Sequence, residues 1–325
     1  MRVFNLYSTE YNRPNFNGKI IDSHVHCGKW TNDTFSTKSV LQFFDRKFNN
    51  GKDKVDKVII SNLDCIINDA CKKPYKDEIT GNIEIIEKSL ATKQLIPFVV
   101  CQPGYGCADN IELLINAYPG VIKGLKFHPA CLECSANDAS YFPYLKLAQK
   151  YNLPCLFHSE VLSDEVGNLV RNGVSDPVYI YETAQRFPKV PVILGHMGLG
   201  GGKAHEAAEE VLIESINKGN SKLYADLAWV DWDNPDKPHI VDIIDKLLNT
   251  SKGDKTERLL FGTDAPLGVF GEKALKQKDA YDNNIKNIKY AIHKNFGDDA
   301  DKLISRIFYR NSKKLLNNSG INFEV

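Results

Sequence analysis

The sequence predicts an α/β fold, a (β/α)8 barrel with extra helices at its C-terminal end. Three observations lead there. Eight apolar runs of strand length are each followed by an amphipathic stretch, which is the pattern of a parallel sheet covered by helices. The first strand–helix turn carries no Gly-x-Gly-x-x-Gly, so a doubly wound dinucleotide-binding sheet is the poorer reading. No Pro- or Ser-rich linker divides the 325 residues, so residues 1–325 read as one domain, long enough to bury a sizeable core.

Taken in order, residues 1–17 are polar and rich in Asn and read as an arm. Ile20, Ile21 and Val25 give the next stretch strand character. Val40, Leu41, Phe44 and Phe48 then recur at helical spacing, with Gly51 as a stop. Val55–Leu63 reads as the second strand, and Ile83, Ile86 and Leu90 mark the second helix. Leu95–Cys101 is the third strand, and Asp109 is placed to cap a helix carrying Ile111, Leu114 and Ile115. Val121–His128 and Leu153–His158 are the fourth and fifth strands, separated by a helix with Tyr144, Leu147 and Tyr151 on one face. Asp176 and Pro177 make a cap and first-turn pair for the fifth helix, with Val178, Tyr181 and Ala184. Val190–His196, Leu223–Ala228 and Arg258–Asp264 complete the strands. Between them lie helices over Ala204–Ser215 and Ile240–Leu248. From about residue 273 to 325 the tail reads as two or three helices ending near Leu316.

Composition narrows the function. Lys plus Arg and Asp plus Glu each number 41, so no basic field exists to concentrate nucleic acid or an anionic membrane. The eight cysteines lie in the first half, several inside apolar runs, which fits reduced thiols in a cytoplasmic compartment better than a disulfide scaffold. The first ten residues lack the apolar stretch of a signal peptide, and no run is long enough to span a bilayer. A soluble cytoplasmic protein is expected.

In a barrel of this kind, reactive side chains come from the C-terminal ends of strands. Polar residues collect there. Strand one ends in His24 and His26, which share a face by the two-residue period of a strand and so can share an ion. Alone, the pair reads equally as two polar residues at an exposed strand end. Strand four ends in Lys126 and His128, strand five in His158, strand six in His196 and strand eight in Asp264. Five of the eight histidines thus fall at strand ends, which random placement seldom achieves.

His24-Val-His26, Gly124-Leu-Lys-Phe-His-Pro129, Leu153-Pro-Cys-Leu-Phe-His158, Ile193-Leu-Gly-His-Met-Gly198 and Leu260-Phe-Gly-Thr-Asp-Ala-Pro266 resemble, in order, the motifs of the amidohydrolase superfamily. The likeness is to its amidohydrolase-related branch of metal-dependent barrel hydrolases and decarboxylases. Arg310-Asn-Ser-Lys-Lys-Leu-Leu316 is similar to that branch's closing helix. The resemblance implies a divalent metal, commonly Zn²⁺, on His24, His26, His158 and Asp264. Asp264 would also exchange a proton with the activated water, and His196 would act as acid/base or ligate a second ion. It further implies that Lys126 either is carboxylated and bridges two metals or, as an ammonium, binds substrate. The Lys-x-His-Pro form favours substrate binding with one metal. Barrels of this branch often pair, so a homodimer is the expected assembly.

The other candidates carry two readings each. By alternation Asp22 faces the same side as His24, one layer deeper, as an acceptor supporting the ligands or a loop anchor. His128 is a substrate contact or a hydrogen-bonded rim histidine. Glu160 is a further acid or a solvated loop residue. Gly198-Leu-Gly-Gly-Gly202 supplies a close turn or receives an anion. Cys131 and Cys134 have the spacing of a zinc pair but no second pair nearby. Trp229, Asp231 and Trp232 wall the pocket or simply pack, with Trp229 the expected substrate contact. His205, His239 and His293 fall on helices and are expected at the surface. Three functions follow: hydrolysis of a C–N or C–O acyl bond (amide, lactone or ester) by metal-activated water with Asp264 as proton shuttle; non-oxidative decarboxylation of an aromatic or unsaturated acid; or ligand binding without catalysis, against which the intact ligand set argues.

Overall fold

The computed structural model describes residues 18–30, 33–66, 74–163, 169–170, 173–199, 202–230, 239–267 and 280–317. The arm at 1–17, Cys71, Gly200, Gly201, Asp231, Trp232, and the tail segments 268–279 and 318–325 lie outside these residues.

The apolar runs pair with one another in chain order. The main sheet has ten strands, of which the two short ones, Asp33–Phe35 and Lys47–Phe48, pair antiparallel. The remaining eight run parallel: β1 (Lys19–Trp30), β2 (Asp53–Asn62), β3 (Leu95–Val100), β4 (Gly124–Phe127), β5 (Cys155–Glu160), β6 (Pro191–Leu199), β7 (Lys222–Asp226) and β8 (Leu259–Leu260). Each pairs with its sequence neighbour. The sheet then closes on itself: Val25 bridges Ala265 in parallel, and the Ser23 N–H donates to Phe261 O at 2.9 Å. The predicted barrel is present.

Alternation sorts the strand residues into two packed layers. Ile59, Ile96, Phe98, Leu156, Ile193 and Leu260 point inward and meet Leu315 and Leu316 of the C-terminal helix, so that helix stops one end of the barrel. Gly124 makes room for this interior, since a Cβ there would stand 2.4 Å from the Phe98 ring. Filling the centre with a ring of this size contributes roughly 1.5–3 kcal/mol. Leu125, Phe127, Phe157, Leu194 and Phe261 point outward into the layer beneath the helices. Further along the inward faces the apolar side chains give way to Lys126, His158, Asp226 and Asp264, at the end opposite the plug.

The described α-helices of six residues or more are α1 (Thr37–Phe44), α2 (Glu78–Ala91), α3 (Ala108–Ala117), α4 (Phe142–Tyr151), α5 (Pro177–Arg186), α6 (Gly202–Lys218), α7 (His239–Leu248), α8 (Ala280–Phe296), α9 (Ala300–Ser305) and α10 (Asn311–Asn317). Asp176 caps α5 as expected, accepting from Val178 N at 3.0 Å with Pro177 in the first turn, a contribution of about 1 kcal/mol. Three expectations are corrected. Phe48 belongs to a short strand, because Asn49, Asn50 and Gly51 adopt positive φ and turn the chain back onto β2. The residue capping α3 is Cys107, with no side-chain bond, and Asp109 sits in the first turn. The eighth strand is only Leu259–Leu260; beyond it Thr263 bonds Asp22 and the chain bends into the mouth. No helix among the described residues is long and apolar enough to cross a membrane.

Candidate metal centre at the barrel mouth

Four strand ends deliver the central groups. On β1 the register shifts between Asp22 and Val25, and this irregularity changes which side chains face inward. His24 and His26 enter the barrel. Asp22 turns outward instead, correcting the expectation that it lies beneath them: its carboxylate accepts from Thr263 Oγ1 (2.6 Å), Thr263 N (3.1 Å) and Tyr281 OH (3.1 Å) in the layer under α8. It still supports the ligands, accepting the His24 N–H at 3.2 Å. The backbone is in the left-handed region at His196 (φ 63°), Trp229 (φ 66°) and Asp264 (φ 58°), a conformation costing non-glycine residues on the order of 1 kcal/mol each. The strain is concentrated where the polar side chains converge.

His24 Nε2, His26 Nε2 and Asp264 Oδ1 form one convergent set, with all ligand atoms within 4.8 Å of one another. Asp264 Oδ1 is 3.0 Å from His26 Nε2 and 3.5 Å from His24 Nε2. Each imidazole is held from behind: His24 Nδ1 is 2.9 Å from Asp226 Oδ2, and His26 Nδ1 is 2.7 Å from Ser61 Oγ. Asp264 Oδ2 accepts from Trp229 Nε1 at 2.9 Å. Lys126 Nζ reaches the same place, 2.8 Å from His24 Nε2. A second convergent set, His24, His196 and Asp226, shares His24. These donors fit a divalent cation. Two imidazoles with their far nitrogens engaged and one carboxylate present three nitrogen or oxygen ligands to one point, as metal-binding histidines do.

The electrostatics agree with that use. Burial holds His24, His26 and His196 below the ordinary imidazole range, so they are neutral and able to donate lone pairs. Burial would raise the Asp264 carboxyl, but the bond from His26, the proximity of His24 and the Trp229 N–H outweigh it and keep it below the carboxylate range. Burial pushes the Lys126 amine down to about 8 against the pull of Asp264 and Asp226, and pushes Asp226 up to about 7.

The remaining predicted residues surround this point. His158 is in neither convergent set: its Nδ1 is 3.1 Å from His196 Nε2 and its Nε2 is 3.2 Å from Glu160 Oε2. Glu160 is therefore a partner of His158, and that bond lowers its carboxyl. His128 stacks on His158 with ring centroids 4.0 Å apart and accepts from Cys131 N at 3.3 Å, the hydrogen-bonded rim role. His196 Nδ1 is buried with no hydrogen-bond partner among the described residues. A cavity of about 260 Å³ joins His26, Lys126, His128, His158, His196 and Asp264, walled by Trp229 and by Trp30 and Phe35 of the hairpin that extends β1. His205 is not at the surface as expected; it is buried, with Nδ1 2.9 Å from Met197 O, because α6 packs on β6. His293 is exposed. The seven described cysteines, Cys131 and Cys134 among them, are free thiols.

Two contributors escape the reading of the sequence. Ser61 gives no signal, being one hydroxyl in a strand. Asp226 could be found: an acid inside Leu223-Tyr-Ala-Asp-Leu-Ala228 is out of place in a buried strand unless its end faces polar partners.

The amidohydrolase family model matches residues 115–317, more than half of the chain. No curated protein sequence matches. Among solved structures, the fold is similar to a probable 2-pyrone-4,6-dicarboxylic acid hydrolase from Acinetobacter baumannii with citric acid bound (14% identity, 92% of this chain and 99% of that one, TM-score 0.57). It is similar also to an IDCase from Metarhizium anisopliae (14% identity, 94% and 98%, TM-score 0.59). A third is an amidohydrolase from Burkholderia multivorans with bound Zn (12% identity, 92% and 99%, TM-score 0.58). With its ordered strand-end motifs, its closed barrel and this match, the chain belongs to the amidohydrolase family.

Proposed function

We propose that the protein is a metal-dependent hydrolase of a small-molecule C–N or C–O acyl bond (amide, lactone or ester). The observation that supports this best is the convergence of His24 Nε2, His26 Nε2 and the ionised Asp264 carboxylate on one point of the cavity wall. His24, His26 and Asp264 would hold a divalent cation, Zn²⁺ by the nature of the donors, and it would supply Lewis acidity and an acidified water there. Asp264 accepts the water's proton at its carboxylate and returns it to the leaving group. Trp229 keeps that carboxylate oriented by its N–H bond to Oδ2. His196 lines the cavity as a neutral imidazole, placed to exchange a proton with substrate. Lys126, whose Nζ lies beside His24 Nε2 at the cavity, donates to a substrate oxygen, and His128 and His158 form a stacked wall. Trp30, Phe35 and Leu267 exclude bulk water.

One feature favours a second reading, decarboxylation of an aromatic or unsaturated acid: the fully buried Lys126 amine would hold a substrate carboxylate. A panel of amides, lactones, esters and phenolic acids separates the two. Hydrolysis without CO₂ release is expected, and Asp264→Asn is expected to lower kcat by about 10²–10⁴-fold, the usual contribution of a general base. Full turnover by that variant, or CO₂ release as the sole activity, defeats the assignment.

A further inference from the structure

Asp226 accepts two backbone N–H groups on one oxygen and turns the other to an imidazole nitrogen. Its Oδ2 faces His24 Nδ1 at 2.9 Å. Its Oδ1 accepts two backbone N–H groups, His196 N at 3.0 Å and Ala228 N at 3.0 Å. The side chain is fully buried at the end of β7, where it meets His24 of β1 and the backbone of His196 on β6. On the far side of the His24 ring, Nε2 faces Lys126 Nζ at 2.8 Å. A lysine ammonium only donates, so Nε2 accepts, and the single ring proton of a neutral imidazole must then sit on Nδ1. Both neighbours assign the same tautomer.

We infer that Asp226 is a positioning residue: it holds His24 in the Nδ1–H form, so that Nε2 presents a lone pair and not a proton toward the cation locus, and with its other oxygen it fixes the left-handed backbone at His196. The inference rests on the proposed metal site and extends it to a residue that joins the ligand on β1 to the imidazole on β6. An aspartate is required because an asparagine has one accepting oxygen. In Asp226→Asn that oxygen satisfies the two backbone N–H groups, and the amide NH₂ faces His24 Nδ1. The ring must then accept there, and its proton moves to Nε2, pointing at the cation locus.

The test uses two readouts on purified full-length protein, wild type beside Asp226→Asn. The first is Zn²⁺ affinity by chelator competition. The second is the protonation pattern of the imidazole nitrogens by ¹H–¹⁵N correlation in metal-free protein, with the His24 signals identified by their loss in His24→Ala. The expected result is an affinity about 10–100-fold weaker in Asp226→Asn, the usual effect of removing a carboxylate behind a ligating histidine. It is accompanied by a switch of His24 from Nδ1–H to Nε2–H and an unchanged circular dichroism spectrum. Equal affinity in a folded variant overturns the inference. So does a fall from two ions per chain to one with the remaining affinity intact, which would make Asp226 a ligand. Should the variant not fold, the wild-type tautomer decides, and Nε2–H there overturns the inference. Wild-type protein that binds no Zn²⁺ defeats the proposed function instead, and the tautomer measurement still reads the Asp226–His24 contact by itself.

Discussion

Replacing Asp22 with asparagine should flatten part of the pH dependence of stability. Asp22 is fully buried, and burial outweighs its bonds from Thr263, His24 and Tyr281, pushing its carboxyl from an ordinary 3.8 up to about 7. In the unfolded chain the group ionises near pH 4, while in the barrel it keeps its proton until about pH 7. Between those values the folded state binds more protons, so this group's contribution to stability falls as pH rises and reaches its full cost above pH 7. Roughly three pKa units correspond to about 4 kcal/mol, of which about 2.5 kcal/mol develops between pH 5 and pH 8. The substituted amide keeps the bonds: its oxygen can accept from His24 N and Thr263 N, and its NH₂ can donate to Thr263 Oγ1 and Tyr281 OH. The buried histidines and Asp226 titrate in both proteins and cancel in the difference. Denaturant unfolding at pH 5 and pH 8 should therefore show Asp22→Asn gaining about 2.5 kcal/mol on wild type over that interval. Parallel pH profiles would refute the reasoning and mean that Asp22 is ionised in the folded barrel.

Two further substitutions probe the mouth. A Cβ at Gly195 would stand 2.8 Å from Phe157 O and 3.1 Å from His24 Cε1, and the oxygen belongs to the wall strand β5 and cannot easily yield. Gly195→Ala should cost about 1–3 kcal/mol in unfolding free energy and weaken metal retention, because the strain is relieved by displacing His24; normal stability with a full metal complement would contradict the packing. Trp229→Phe removes the N–H bond to Asp264 Oδ2, a bond to a charged group worth about 1.5–3 kcal/mol. It should lower kcat/KM by roughly tenfold or more without reducing folded yield, and an unchanged kcat/KM would show that Asp264 is oriented by its other contacts.

Much of this architecture is legible in the residues because the barrel repeats one rule. Each buried parallel strand needs an apolar run, so Val58-Ile-Ile60, Phe98-Val-Val100 and Val192-Ile-Leu194 announce themselves, and a lysine or histidine ending such a run stands out. His24, His26 and Asp264 meet as the resemblance implies, since all three sit at the same end of strands that closure makes neighbours. What failed to show has a common cause. Strict alternation places Asp22 inward, but an irregularity in the β1–β2 pairing is set by closure against Phe261 and Thr263, residues almost the whole chain away. The partners behind the ligands are equally non-local: Ser61 and Asp226 acquire their roles only when barrel closure brings β2 and the end of β7 to the histidines. His205 reads as a surface residue because it falls on a helix away from the strand ends, and the carbonyl that it meets, Met197 O, lies near the end of β6.

The central claim is that His24, His26 and Asp264 form a metal centre, and counting the metal tests it most directly. Elemental analysis of protein purified without chelator, wild type beside His24→Ala, should find about one divalent ion per chain in wild type, mainly Zn²⁺, and little in the variant. That result leaves Lys126 as a substrate contact. Two ions per chain would make Lys126 a carboxylated bridge. No metal in wild type even after addition of Zn²⁺, or the same amount in His24→Ala, would contradict the account and turn the barrel into a binding module.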